Sequence, residues 1–268
     1  MAGMSAKSGA DGSRWVEVPP ARLDRWLAGF AARHGTPITP ADPAMPVDVA
    51  ATGGAATPAD PAAAADPDAL LLRAPDGAAA ALYPPPGIAV PTDVDALSAA
   101  LRAPGPLGLV LARRGAVAVA VADGDALTRT KVDTRYVQGR TAAGGWSQQR
   151  FARRRANQTT AVVEAAVEVV ARLLVPEAPR LAAVVCGGDR ELLDRIMRDR
   201  RLTALAALRH PRRLDVPEPR HAVLVAALAA ARAVRIRVTD PPPAPIGPEP
   251  SDDAPRPASA DPAAPAGA

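Results

Sequence analysis

A chain of 268 residues that is 48% hydrophobic can bury a sizeable core, but only 3% of it is aromatic, so that core must be built from alanine and branched aliphatic side chains. One cysteine, Cys186, excludes an internal disulfide and a thiolate metal cluster. The three histidines (His34, His210, His221) have no ligand spacing, so no structural metal is expected. The net charge is only +4, yet between Arg129 and Gln158 eight basic residues face one acid, Asp133, which makes this stretch a local anion-binding surface on an otherwise acidic chain.

No apolar leader opens the sequence and no run approaches the length of a membrane span, which predicts a cytoplasmic protein. Thirty-one prolines and twenty glycines concentrate in a few tracts that bury too little to offset the entropy of ordering, and these read as linkers.

Residues 1–12 read as a disordered leader. Arg14–Val18 (RWVEV) alternates like a short strand, and after Pro19 and Pro20 a helical pattern runs from Ala21 to His34. In it Leu23, Trp26, Leu27 and Phe30 fall at i, i+3, i+4 and i+7, and Gly35 supplies a stop. Residues 37–68 mix Pro, Ala and Asp without period and read mostly as a disordered insertion. Ala69–Arg73 and Ala78–Tyr83 flank the turn Pro75, Asp76, Gly77 and predict a hairpin. Residues 13–103, with a helix at Asp93–Arg102, are thus expected to form a small N-terminal α+β module.

Leu107–Ala112 and Ala116–Ala122 are apolar runs joined by Arg113, Arg114 and Gly115, a second hairpin, and a third strand is expected from Ala126 to about Val137. A glycine-containing loop, Gln138–Trp146, leads to a long helix over Gln148–Leu174, basic in its first half and apolar in its second, with Val163, Val167, Val170 and Leu174 at helical spacing. Leu181–Val185 reads as a buried strand, Arg190–Arg198, Leu202–Leu208 and Pro217–Ala233 as helices, and Val234–Val238 as a last strand. Three strands followed by alternating elements predict an α/β (α+β) domain over 105–240, a mixed sheet flanked by helices of the ribonuclease-H-like kind. Residues 241–268, with four acids and one arginine, read as a disordered tail that would repel nucleic acid.

Gly144, Gly145, Trp146, Ser147, Gln148 and Gln149 place a pliable backbone and side-chain amides at a helix start, where free N–H groups favour an anion. The plainer reading is a strand-to-helix connection with Ser147 as N-cap and both glutamines solvated. Arg150, Arg153, Arg154 and Arg155 span little more than one turn and must spread around the helix; the plainer reading is a solvated face. Almost no acids are interleaved with them, however, and Lys131, Arg135, Tyr136 and Arg140 precede them. That combination suits phosphates, with Tyr136 and Trp146 available for stacking. Val184–Asp189 (VVCGGD) lacks a full G-x-G-x-x-G and a P-loop lysine, so Asp189 reads as a helix cap. Cys186, with no histidine motif near it, reads as a buried apolar residue. Two-metal nuclease chemistry needs clustered carboxylates, and Leu107–Gly115 has none; the nearest are Asp123, Asp125 and Asp133.

The stretch TRYVQGRTAAGGWSQQRFARRRANQ resembles the signature of the actinobacterial branch of the Vms-like release-factor family of peptidyl-tRNA hydrolases, over about residues 105–240, with a weaker likeness in VEVPPARLDRWLAGFAARHG. The resemblance implies a domain similar to the catalytic domain of eukaryotic class I release factors, whose loop carries Gly-Gly-Gln. This family's Gly-x-x-Gln is matched by Gly145, Trp146, Ser147 and Gln148, with Gln149 directly behind. It implies a cofactor-free enzyme in which Gln148 positions a water, or the terminal ribose hydroxyl, for attack on the peptidyl-tRNA ester. The arginines would hold tRNA and ribosomal RNA on an obstructed large ribosomal subunit, with the protein acting as a monomer. Two other readings stay open: cleavage of tRNA near its 3′ CCA end, and a non-catalytic ribosome- or RNA-binding module.

Overall fold

A computed structural model of the protein describes residues 7–8, 13–39, 66–113, 116–134 and 148–241, with backbone only for 7–8, 134 and 148–159. Two five-stranded sheets carry it. The first consists of β1 (Lys7–Ser8), β2 (Arg14–Val18), β3 (Leu70–Arg73), β4 (Ala79–Tyr83) and β10 (Val234–Thr239), antiparallel throughout in the order β1-β2-β10-β4-β3. Strand side chains alternate between faces, so Val16, Val18, Leu72, Ala80, Leu82, Val234, Ile236 and Val238 share one face. That face is buried with Leu23 and Phe30 of α1 (Leu23–His34) and Leu97 of α2 (Val94–Arg102). Trp26 stacks on Phe30 with centroids 5.5 Å apart, and Nδ1 of His34 meets Oδ2 of Asp76 at 2.8 Å, which ties the end of α1 to the β3–β4 turn. Asp93 caps α2 by accepting the Ala96 N–H at 2.7 Å.

The second sheet consists of β5 (Leu107–Arg113), β6 (Ala116–Asp123), β7 (Ala126–Thr134), β8 (Ala183–Gly188) and β9 (Arg209–Leu214) in the order β7-β6-β5-β8-β9. The first three strands form an antiparallel meander, and β8 and β9 run parallel to β5. A mixed sheet in this order, flanked by helices, is the ribonuclease-H-like arrangement expected from the sequence. One face carries α3 (Gln148–Leu174), α4 (Arg190–Met197) and α5 (Thr203–Ala207), packed on Val110, Val117, Val119, Val121 and Val184. The other carries α6 (His221–Arg232), whose Leu224, Ala227, Leu228 and Ala231 pack on Leu109, Leu111, Ala118 and Ala120. Strand β6 reads AVAVAVAD because it is covered on both sides: its valines face α3 and its alanines let α6 come close.

Three features differ from the sequence expectation. Lys7 and Ser8, within the stretch that reads as a leader, pair with Trp15 and Arg14. Arg209–Leu214, for which the sequence pattern predicts no element, is the edge strand β9; Pro211 lacks an N–H to donate and is tolerated at an edge. The last strand does not close the second sheet, as the 105–240 grouping implies. Instead β10 returns to the first sheet between β2 and β4, so the module does not simply precede the second unit. The region from β5 to α6 is therefore an insertion between α2 and β10. Its entry and exit are held by one buried side chain: Nη2 of Arg232 donates to the Gly105 carbonyl at 2.8 Å and to the Gly124 carbonyl at 3.0 Å. The expected insertion at 37–68 and the tail at 241–268 lie almost wholly outside the described residues.

Candidate functional site

Helix α3 begins at Gln148 and spans 27 residues, roughly 40 Å at the α-helical rise. Its second half is anchored: Val162, Ala166, Val167, Val169, Val170, Leu173 and Leu174 are buried against β5, β6, β8 and α4. Thr160 and Ala161 are exposed, and Val162 is the first buried side chain described. Gln148 therefore opens the helix roughly 20 Å along the axis from Val162. A helix nucleated by tertiary burial at one end can carry a polar half outward from the sheet, because the hydrogen-bonded ladder continues once it has been started.

Helical register sorts the basic half. Positions 148 and 155 lie two heptads and one heptad before 162, on the stripe that continues through 166, 169 and 173. Positions 150, 153 and 154 lie off that stripe, so Arg150, Arg153, Arg154 and Arg155 occupy more than one side of the helix, as their spacing requires. The expectations for Arg135, Tyr136, Arg140, Gly144, Gly145, Trp146 and Ser147 lie outside the described residues, and for Gln148, Gln149 and the four arginines the described structure is the helical backbone.

Lys131 is exposed on β7, the edge strand next to α3 in sequence. Its cross-strand partner is Val119, whose side chain packs in the α3 core, so Lys131 is on the α3 side of the sheet. Val132 is turned the other way and packs with the α6 core. Arg129, also counted in the basic stretch, donates from Nη1 to Oε1 of Glu177 at 3.1 Å, just past the C-terminal end of α3. It fastens β7 to the anchored end of the helix, and Lys131 is the basic group of β7 nearer the loop.

The remaining sequence candidates fall into structural roles. Asp189 caps α4: Oδ1 accepts the Leu192 N–H at 3.1 Å, and its own N–H donates to the Ala112 carbonyl at 2.8 Å. Burial pushes the Cys186 thiol up to about 11, with Arg209 opposing, so it is protonated near neutrality and is no nucleophile. Asp123 and Asp125 flank the Gly124 turn into which the buried Arg232 guanidinium projects, and their charge offsets part of its desolvation. Among the described residues no His, Cys, Asp and Glu side chains converge as a metal site, and no helix is long and apolar enough to cross a membrane.

The fold is thus a mixed ribonuclease-H-like sheet covered on one face by a long helix that starts at Gln148 and packs on the sheet from Val162 onward. Residues 105–237, about half of the chain, match the family model of the Actinobacteria/chloroflexi VLRF1 release factor. Through this segment the chain belongs to the Vms-like release-factor family, a release-factor-related group. Similar solved structures include an archaeal protein, 16% identical with a TM-score of 0.34, matched over 60% of this chain and 51% of its own. Another is the archaeal translation termination factor aRF1, 14% identical with a TM-score of 0.34, over 83% of this chain and 65% of its own. The chain spans between half and two thirds of the length of these structures. No curated protein matches it.

Proposed function

We propose that the protein hydrolyses peptidyl-tRNA to release nascent chains from obstructed large ribosomal subunits, with Gln148 as the residue at the reacting ester. The observation that carries this reading is the coincidence of the release-factor family match with the position of Gln148 at the first residue of a long helix whose buried side chains, among those described, begin at Val162. A glutamine amide is no base near neutrality, so its contribution is orientation: it holds water against the ester carbonyl and hydrogen-bonds to the charge that develops there. Water adds to the carbonyl carbon and the bond to the ribose oxygen breaks. The peptide leaves with a carboxylate and the tRNA regains its hydroxyl.

Gly144, Gly145, Trp146, Ser147 and Gln149 would shape the loop around the ester. Lys131, Arg135, Arg140, Arg150, Arg153, Arg154 and Arg155 would hold tRNA and ribosomal RNA phosphates, and Tyr136 would stack on a base or ribose. The reaction as drawn uses no cofactor, and the protein would work as a cytoplasmic monomer on the ribosome. A single-turnover release assay on large subunits carrying peptidyl-tRNA, with Gln148→Ala and Gln149→Ala made separately, tests the proposal. Intact peptidyl-tRNA in the wild-type reaction, or full-speed release by Gln148→Ala, overturns it. Sequencing the released tRNA reads the chemistry: an intact CCA end means ester hydrolysis, and a missing one means tRNA cleavage.

A further inference from the structure

Sheet alternation that buries Val16, Leu82 and Ile236 against α1 and α2 turns the intervening residues of β2, β4 and β10 to the opposite face. There, register places Glu17, Arg235 and Tyr83 in one cross-strand row and Trp15, Arg237 and Ala81 in the next. The rings of Trp15 and Tyr83 lie 5.1 Å apart and the Arg235 guanidinium sits 4.4 Å over the indole. The four large side chains Trp15, Tyr83, Arg235 and Arg237 are partly exposed, and neither aromatic joins a hydrophobic core.

Strand β9 of the second sheet meets this face at a corner, where Nη2 of Arg212 donates to Oε1 of Glu17 at 2.7 Å. Glu17 at the corner is paired with Arg212, and Asp66, which accepts the Tyr83 hydroxyl at 2.5 Å, remains a carboxylate near Arg237. Arg235 and Arg237 together still leave the face cationic beside its two aromatic rings. The exposed large apolar side chains among the described residues are Ile38, Val90 and Val225, and none of them is on this face.

We propose that this face is a stacking platform for single-stranded RNA, with Trp15 and Tyr83 receiving bases and Arg235 and Arg237 receiving phosphates. Partly exposed rings and guanidinium planes on an antiparallel sheet suit unpaired bases, whose π-faces are accessible; a duplex keeps them stacked on one another. The inference does not rest on the reading of Gln148, and its test uses neither peptidyl-tRNA nor ribosomes.

The full chain carrying Arg153→Glu and Arg154→Glu, which weakens the α3 surface, is titrated with a short unstructured oligoribonucleotide and with its duplex. The single strand is expected to bind more tightly than the duplex. Adding Trp15→Leu or Arg237→Gln is expected to weaken it about tenfold, the scale of removing one stacking or ionic interaction. A chain with Trp26→Phe and Trp146→Phe, leaving Trp15 as the one indole, is expected to lose fluorescence as the strand binds. This readout stands even if Trp15→Leu fails to fold. Absence of binding in the Arg153→Glu, Arg154→Glu background, equal affinity for the duplex, or unchanged Trp15 fluorescence at saturation overturns the proposal.

Discussion

Arg212 of β9 and Glu17 of β2 meet at 2.7 Å between Nη2 and Oε1, and this ion pair joins the two sheets. Its partners differ in environment: the Arg212 side chain is 11% exposed and that of Glu17 is 50% exposed. Glu17→Ala would leave a largely buried guanidinium beside Arg235 with its acid removed, and burial already disfavours its charge. The loss is expected to be about 1–2 kcal/mol, below that of a fully buried pair because Glu17 is half in water. Adding Arg212→Ala should recover part of it. Urea unfolding of the two single variants and the double variant measures the coupling, and strictly additive losses would show that the pair does not hold the sheets together.

Gly188 ends β8 with φ of +102°, and a Cβ there would lie 2.2 Å from the Ala112 carbonyl oxygen. Its carbonyl also accepts from Nη1 of Arg213 at 3.2 Å, and the next N–H, of Asp189, bonds back to Ala112. Gly188→Ala is expected to cost about 3 kcal/mol or more, because backbone cannot yield as a side chain does. Gly124 is the control: φ is +53° and nothing lies within 4 Å of its added Cβ, so Gly124→Ala should cost only about 1 kcal/mol, the left-handed penalty. Thermal unfolding of the two variants separates clash from conformational strain.

Most of the second sheet is legible in the sequence because its strands are local and doubly buried. Alternating alanine and valine in β6 is a pattern only a central strand needs, and the meander follows from short turns. Strand β9 stays hidden because RHPRRL carries four cationic or titratable side chains and a proline, which no strand pattern rewards; its pairing is set by position beside β8. Strand β10 reads as a strand, but its partners β2 and β4 lie far away in sequence, and alternation says nothing about which edge a strand joins. The same holds for the two sites. Gln148 stands out because its glycines, tryptophan and arginines are contiguous. The cluster of Trp15, Tyr83 and Arg235 exists only once three distant strands are in register.

Tyr83 offers a pH readout of that cluster. Burial, and then the hydrogen bond to Asp66, push its hydroxyl up to about 12, while the hydroxyl in turn holds the Asp66 carboxyl below its usual value. The raised tyrosine contributes stability that is complete below about 10, the unfolded value, and fades as pH climbs through about 12. The lowered Asp66 contributes stability present above about 4, the unfolded value, and lost as pH falls through its folded one. In a Tyr136→Phe chain, tyrosinate absorbance should titrate with a midpoint near 12, and Asp66→Asn should lower it only partway, since burial is the larger cause. A midpoint near 10 in the folded chain would mean that the hydroxyl is solvated and unbonded.

Removing the Gln148 amide should slow peptide release about a hundredfold, the scale of losing one transition-state hydrogen bond, while leaving ribosome affinity nearly unchanged. Gln149→Ala should keep most of the rate. Position 148 continues the helical stripe of Val162 and Leu173, and position 149 is turned about 100° from it, so the two positions fall on different sides of the helix. Arg153→Gln and Arg154→Gln should show the opposite signature: weaker binding, with the slope of log affinity against log salt reduced by about one for each phosphate no longer neutralised, and near-normal release once bound. Single-turnover rates at saturating subunit, taken with binding titrations at several salt concentrations, separate the two classes. Loss of release through weakened binding alone in Gln148→Ala would place that residue in the grip on RNA and away from the ester.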